Sequence, residues 1–241
     1  NNKSDNARGD FTDLPSAERL KIDAYEIPSI IIEDSPRFQY RGMMLDVSRH
    51  FMPVSFIKKF IDIIAMHKMN TFHWHLTDDQ GWRIEIKKYP LLTQIGSKRD
   101  STQINYQGKK WNSEVYDGVP HEGFYTQDDI KEIVAYAENL NITVIPEIAM
   151  PGHASAAIAS YTFLGSSVKP IRLPERFGVG ENIFNPASPK TITFIQDVLK
   201  EVSDLFPADI IHIGGDEVIY GPWKTNEDVK YLMKKNQLDN Y

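Results

Sequence analysis

From Tyr40 onward the chain alternates short β-branched apolar runs with longer amphipathic ones, the texture of βα units around a parallel sheet. Residues 43–47 predict a first strand. Pro53 opens its helix, where Phe56, Phe60, Ile63, Ile64 and His67 recur at helical spacing. Residues 71–76 predict a second strand, followed by a long loop rich in Gly, Asn and Lys up to Gly123. Thr126, with Asp129 three residues on, caps a helix whose buried stripe is Ile130, Ile133, Val134 and Ala137. Residues 142–148 read as a third strand, closed by Met150-Pro151-Gly152-His153, with a short helix over 154–161. A second long excursion ends near Pro189. Residues 191–206 then form a helix with Ile192, Ile195, Val198, Leu199 and Val202 on one face. A fourth strand falls at 209–213, and residues 226–235 start another helix. Before Tyr40, residues 1–19 are polar and Ile30, Ile31 and Ile32 predict a short strand or an extended lead-in. Residues 1–39 are thus expected to be a linker or the tail of a preceding domain.

Composition adjusts this picture little. The 241 residues accommodate one large domain, and the length suits a single α/β barrel. A net charge of -6, with no basic stripe, gives no support to nucleic-acid binding. The absence of cysteine excludes a disulfide framework and a thiolate metal site. No apolar run approaches the length of a membrane span, and there is no signal peptide. Because the chain begins at Asn1 rather than Met, it is expected to be processed or cut from something longer.

Chemistry gathers where the predicted strands end. In residues 209–217 an apolar burst, Ile210-Ile211-His212-Ile213, runs through Gly214-Gly215 into Asp216 and Glu217. This predicts a buried parallel strand opening on a catalytic mouth, with one acid keeping its proton and the other ionised. The alternative is a helix N-terminus, where acids complement the dipole. On the second strand, the period of two sets Phe72, Trp74 and Leu76 toward the helices and His73 and His75 inward, with Asp78 and Asp79 leaving at the end. Two such histidines beside aspartates suit a divalent ion, or they hydrogen-bond to one another near the mouth. Arg49, at the end of the first strand, can fork ligand hydroxyls or pair with Asp46 or Glu147. His153, carried over the mouth by the Pro-Gly turn, is structural or relays a proton to Glu217. The two long excursions open on this same face.

Tyr40-Arg41-Gly42 through Asp46, Ser48-Arg49-His50-Phe51, residues 72–83, Pro146-Glu147 with Pro151-Gly152-His153, and residues 212–217 occur in order and together. In these motifs the chain resembles the family-20 glycoside hydrolases, the β-N-acetylhexosaminidases. The resemblance implies an α/β fold of the (β/α)8 TIM-barrel type, with about the first four β/α units present in residues 40–241. It also implies exo-acting removal of terminal β-linked GlcNAc or GalNAc from glycans, by substrate-assisted retaining catalysis without metal or organic cofactor. On that pattern Glu217 is general acid and then base. Asp216 orients the 2-acetamido group, whose carbonyl oxygen attacks the anomeric carbon to form an oxazolinium ion. Arg49 binds the sugar hydroxyls at positions 3 and 4, and Asp78 with His153 sets the acidity of Glu217. Hydrolases of this family are commonly exported or lysosomal.

Two departures stand out. Ala149 occupies a position where the family usually places an aspartate, which puts the tuning of Glu217 or Asp216 in question. Four further strands, with the tryptophan walls and the Tyr and Asp of the acetamide pocket, have no counterpart here, so the chain is expected to be an incomplete fragment that needs the other half of the barrel. Two rival functions follow from the same residues. One is a metal-dependent amidohydrolase-like barrel using His73, His75, His153 and Asp216; the other is a non-catalytic sugar-binding fragment.

Overall fold

The computed structural model describes residues 29–104, 114–166 and 169–241. The polar stretch at 1–19 and part of the first excursion, 105–113, lie outside the described residues. Two units separate at the Arg37/Phe38 boundary. In the first, residues 29–37 carry neither helix nor strand, so the isoleucine triplet forms no strand.

In the second unit, β1 (Gly42–Asp46), β2 (Thr71–Asp78) and β6 (Thr143–Ile148) form a parallel sheet with β2 in the middle. Trp74 pairs with Leu45 on one side and Pro146 on the other. Helix α1 (Val54–Met66) links β1 to β2, and α3 (Gln127–Glu138) precedes β6. The predicted long loop after β2 is partly structured. It holds β3 (Gly81–Trp82), α2 (Leu91–Gln94) and the small β4–β5 ribbon (Lys98–Arg99, His121–Glu122). After β6 come α4 (Ser155–Ser160), a 3-10 turn, α5 (Pro189–Leu205), α6 (Gly221–Thr225) and α7 (Glu227–Lys235). The class is mixed α/β, and the strands do not close into a barrel among the described residues. No helix there is long and apolar enough to cross a membrane.

Local chemistry explains most boundaries. Thr126 Oγ1 accepts from Asp129 N–H while the Asp129 carboxylate accepts from Thr126 N–H, a reciprocal cap of two orphan donors. Ser188 and Asn226 cap α5 and α7 in the simpler way. On β2 the alternation separates two environments. Phe72, Trp74 and Leu76 are fully buried against the helices, Phe72 touching Phe60 of α1 and Trp74 touching Tyr125 and Phe206 edge-on. His73 and His75 take the opposite face.

Two helix phases differ from expectation. The stripe of α1 that is buried is Ile57, Ile61 and Ile64, while Phe56 and Ile63 are exposed. On α5 it is Thr191, Phe194, Val198, Val202 and Leu205, while Ile192 is exposed.

The fourth strand is the largest correction. Residues 210–213 follow β6 in parallel, with His212 N–H donating to Pro146 O at 3.0 Å, Ile148 N–H to His212 O at 3.0 Å and Met150 N–H to Ile213 O at 2.9 Å. The segment is an edge rather than a buried strand: Ile210 is 60% exposed and Ile213 50%. Burial of a parallel strand needs a neighbour on both sides, and here only β6 is present.

Candidate active site

Five residues singled out from the sequence converge at the C-terminal ends of the strands. Asp78, the last residue of β2, is 1% exposed and accepts on both oxygens. Oδ2 lies 2.9 Å from His75 Nε2 and 2.8 Å from Arg49 Nη1; Oδ1 lies 3.1 Å from His153 Nδ1 and accepts from Asp79 N–H at 2.7 Å. Burial pushes its pKa up, yet the hydrogen bonds from His153 and His75 and the Arg49 charge outweigh that and hold it below the usual carboxylate range.

His153 is brought there by the turn after β6. Its Nδ1 faces Asp78 and, at 3.3 Å, Asp79, and these two bonds raise its pKa to about 10 against the opposing effect of burial. Its Nε2 faces outward, 3.4 Å from Glu217 Oε2 and 3.5 Å from Asp216 Oδ2. Those approaches are ionic contacts without hydrogen-bond geometry, and Nε2 is otherwise unpartnered. In unliganded sites such contacts are often long and tighten only when a ligand is seated. His153 and Glu217 both have left-handed backbone, φ 50° and 49°, at a cost of about 1–3 kcal/mol each. Gly214 makes the approach possible. Its φ is 70°, and a side chain there would meet the Ala149 backbone and Glu147 Oε1 at 3.3 Å.

Asp216 and Glu217 are solvent-exposed, at 65% and 57% of their side chains, so the expected mutual desolvation of the pair is not present in this geometry. The reason is the open edge at residues 210–213, which leaves both acids walled on one side only. Arg49 is positioned by Asp46 at 2.9 Å, by Asp78, and by Gln80 Oε1, which accepts from its Nε at 3.1 Å. Its predicted alternative partner Glu147 is instead surrounded by histidines. Arg49, Asp46 and Glu217, with Phe177, Gly178 and Val179 of the second excursion, line a cavity of about 750 Å³.

Sequence reasoning gave no role to Gln80, placed Asp79 only beside a candidate metal site and offered Glu147 only as an alternative partner of Arg49. Asp79 is fully buried and accepts from Ser155 N–H at 3.0 Å and Ser155 Oγ at 2.6 Å. Gln80 also donates from Nε2 to Arg176 O at 3.1 Å, which ties the second excursion to Arg49. The unbroken polar run after β2 was the available signal. Ala149 is buried, with its N–H held by Thr77 Oγ1 at 2.9 Å. The metal set His73, His75, His153 and Asp216 is not assembled: His73 and His75 share Glu147, whereas His153 and Asp216 meet on the far side of Asp78.

A parallel α/β sheet whose strand ends gather paired carboxylates, a buried Asp–His couple and an arginine on one face has the layout of an α/β catalytic domain. Sequence comparison supplies the particular family. Residues 38–241 match "Glycosyl hydrolase family 20, catalytic domain", and the chain belongs to that family. It is 46% identical over 212 residues to a beta-hexosaminidase of Porphyromonas gingivalis, covering 88% of this chain and 26% of that protein. A beta-hexosaminidase of Vibrio furnissii is 46% identical over 210 residues, covering 86% of this chain and 33% of the relative. The chain therefore spans about a quarter to a third of the length of these curated relatives. Among solved structures, a beta-N-acetylhexosaminidase superposes with a TM-score of 0.79 at 36% identity, covering 86% of this chain and 42% of that one. The GH20 exo beta-N-acetylglucosaminidase of Vibrio harveyi, in complex with N-acetylglucosamine, gives 0.72 at 43% identity, covering 86% and 32%.

Proposed function

We propose that this chain is part of an exo-acting β-N-acetylhexosaminidase that removes terminal GlcNAc or GalNAc by substrate-assisted, retaining hydrolysis. The observation that carries this reading is the placement of His153, whose ring joins buried Asp78 to Glu217 beside the cavity that Arg49 lines. Glu217 protonates the leaving glycosidic oxygen as the substrate's acetamide oxygen attacks the anomeric carbon. Asp216 accepts from the acetamide N–H and stabilises the positive charge of the oxazolinium ion. Glu217, now ionised, takes a proton from the water that opens the ring, and the two inversions retain configuration. His153, carrying a proton toward Asp78, steadies the Glu217 carboxylate after its proton leaves. Arg49, already shared by two aspartates, presents its remaining N–H groups to sugar hydroxyls.

The parallel arc reads as the first four β/α units of a (β/α)8 barrel. Exposed Met43 and Met44 on β1 and Ile210 and Ile213 at the other edge are the surfaces that further strands cover. The test is hydrolysis of a chromogenic β-GlcNAc glycoside and of its counterpart lacking the 2-acetamido group, by a protein that carries this chain at the length of its relatives. Turnover only with the acetamide, lost in Glu217→Gln, is expected. Equal turnover of both glycosides would refute acetamide assistance.

A further inference from the structure

Behind the site lies a second layer of charge that the mechanism above does not use. Glu147 of β6 is 4% exposed, and its Oε2 lies 2.6 Å from His73 Nε2 and 2.8 Å from His75 Nδ1. Its Oε1 lies 3.3 Å from His212 Nδ1. That nitrogen also accepts from Gly214 N–H at 3.0 Å.

His75 differs from the other two histidines because both of its ring nitrogens face carboxylates. Nδ1 meets Glu147 and Nε2 meets Asp78 Oδ2 at 2.9 Å. Ionised carboxylates only accept, so both nitrogens must carry protons. Arg49 Nη1 stands 3.3 Å from Nε2; two donors do not bond each other, and both are instead directed at Asp78 Oδ2. The charged and titratable groups around this ring are Asp46 and Arg49 from β1 and its loop, His73 and Asp78 from β2, and Glu147 from β6 with His212 beyond it. Burial lowers the His75 pKa, but the bonds to Asp78 and Glu147 prevail and bring it to about 9.

We propose that Glu147 and His75 are positioning residues of this site: Glu147 keeps His75 a fixed imidazolium, and that cation pins Asp78 Oδ2 so that Oδ1 is aimed at His153. The inference rests on the proposed function. A five-residue charge chain then runs Glu147, His75, Asp78, His153, Glu217, alternating in sign up to the acid that does the chemistry. Removing the charge of Glu147 takes away one of the two carboxylates bonded to the ring while burial still opposes its charge, so the ring gives up its proton at lower pH, and Asp78 then loses one of its three cationic anchors.

The experiment is the pH profile of kcat/KM for Glu147→Gln in the full-length protein. The variant is expected to approach the parent at pH about 5 and to fall about tenfold relative to it by pH about 8, the effect of one charge-assisted hydrogen bond. His75→Gln, which has no ring to protonate, is expected to lose activity at every pH. A profile for Glu147→Gln with the parent's shape, whether scaled or unchanged, overturns the proposal. Because either variant can misfold, nitrogen NMR of the parent provides a second arm: His75 is expected to be protonated on both nitrogens at pH 7, and a neutral ring there overturns the proposal too. That spectrum needs no turnover. A parent that hydrolyses no amino-sugar glycoside while showing the doubly protonated ring refutes the function alone.

Discussion

Arg83 offers the sharpest test of how the mouth is held together. It is fully buried, and among the described residues no carboxylate bonds to it. Its guanidinium donates instead to three carbonyls: Ser48 O at 2.8 and 3.2 Å, Ser97 O at 2.7 Å and Gly123 O at 2.9 Å. These tie the loop that carries Arg49 to two points of the first excursion. Burial, helped by the nearby Arg99 charge, lowers its pKa to about 9, which shows how much the cation is resisted. In Arg83→Met two buried acceptors and one half-buried acceptor lose their donor, a gross loss of roughly 3–9 kcal/mol. Relief of the buried charge returns several kcal/mol, so the net destabilisation is about 2–4 kcal/mol. Arg83→Lys keeps the charge but not the planar fork, and it is expected to be no more stable than the methionine variant. Urea denaturation of the full-length protein measures both. A methionine variant within about 0.5 kcal/mol of the parent, or a lysine variant that recovers most of the loss, would show that the three carbonyls do not depend on this fork.

Asp216→Asn is expected to lower kcat on acetamido substrates by about 10²–10³-fold with little change in KM, read from steady-state kinetics, because in the proposed mechanism its charge is used only as the oxazolinium forms. Ile61→Ala, in the buried stripe of α1, is expected to cost about 2–5 kcal/mol in denaturant melts, whereas Ile63→Ala on the exposed face costs less than about 1. Stability should also vary with pH in a defined way. His75 and His153, raised from 6.5 to about 9 and about 10, contribute fully below pH 6.5, and that contribution is lost as pH rises through 9–10. His121 is lowered to about 4 by burial and the Arg99, Arg83 and His50 charges; its ring accepts from Phe51 N–H, so stability is lost as pH falls from 6.5 toward 4. Denaturation midpoints plotted against pH should therefore peak near pH 6.5, falling toward pH 4 on one side and progressively toward pH 9–10 on the other, and a flat profile between pH 6.5 and about 9 contradicts these assignments.

Much of this arrangement was legible in the residues. Alternation on β2 separated Phe72, Trp74 and Leu76 from His73 and His75 because a strand's period of two does not depend on context. The cap at Thr126 was legible because both halves of its reciprocal bond are local. Helix phase was harder. In residues 54–66 apolar side chains occupy most positions, so two stripes compete and only the sheet chooses Ile57, Ile61 and Ile64. The exposure of Asp216 and Glu217 was not readable, since burial at 210–217 depends on a neighbouring strand rather than on the segment's own composition. Gln80 was passed over and Glu147 was matched to Arg49 rather than to histidines for a similar reason: each matters through partners dozens of residues away, Arg176 and His73.

The Gln80 amide bridges two functions that are usually treated separately. Its oxygen must face Arg49 and its nitrogen must face the Arg176 carbonyl, so the group has one workable orientation and no symmetric alternative. The position of Arg49 and the shape of the wall formed by Phe177 and Val179 are thereby set by one side chain. A change in that wall that shifts the Arg176 carbonyl is transmitted to the arginine, so under the proposed function selectivity for what lies beyond the sugar and affinity for the sugar itself would be coupled traits rather than independently adjustable ones.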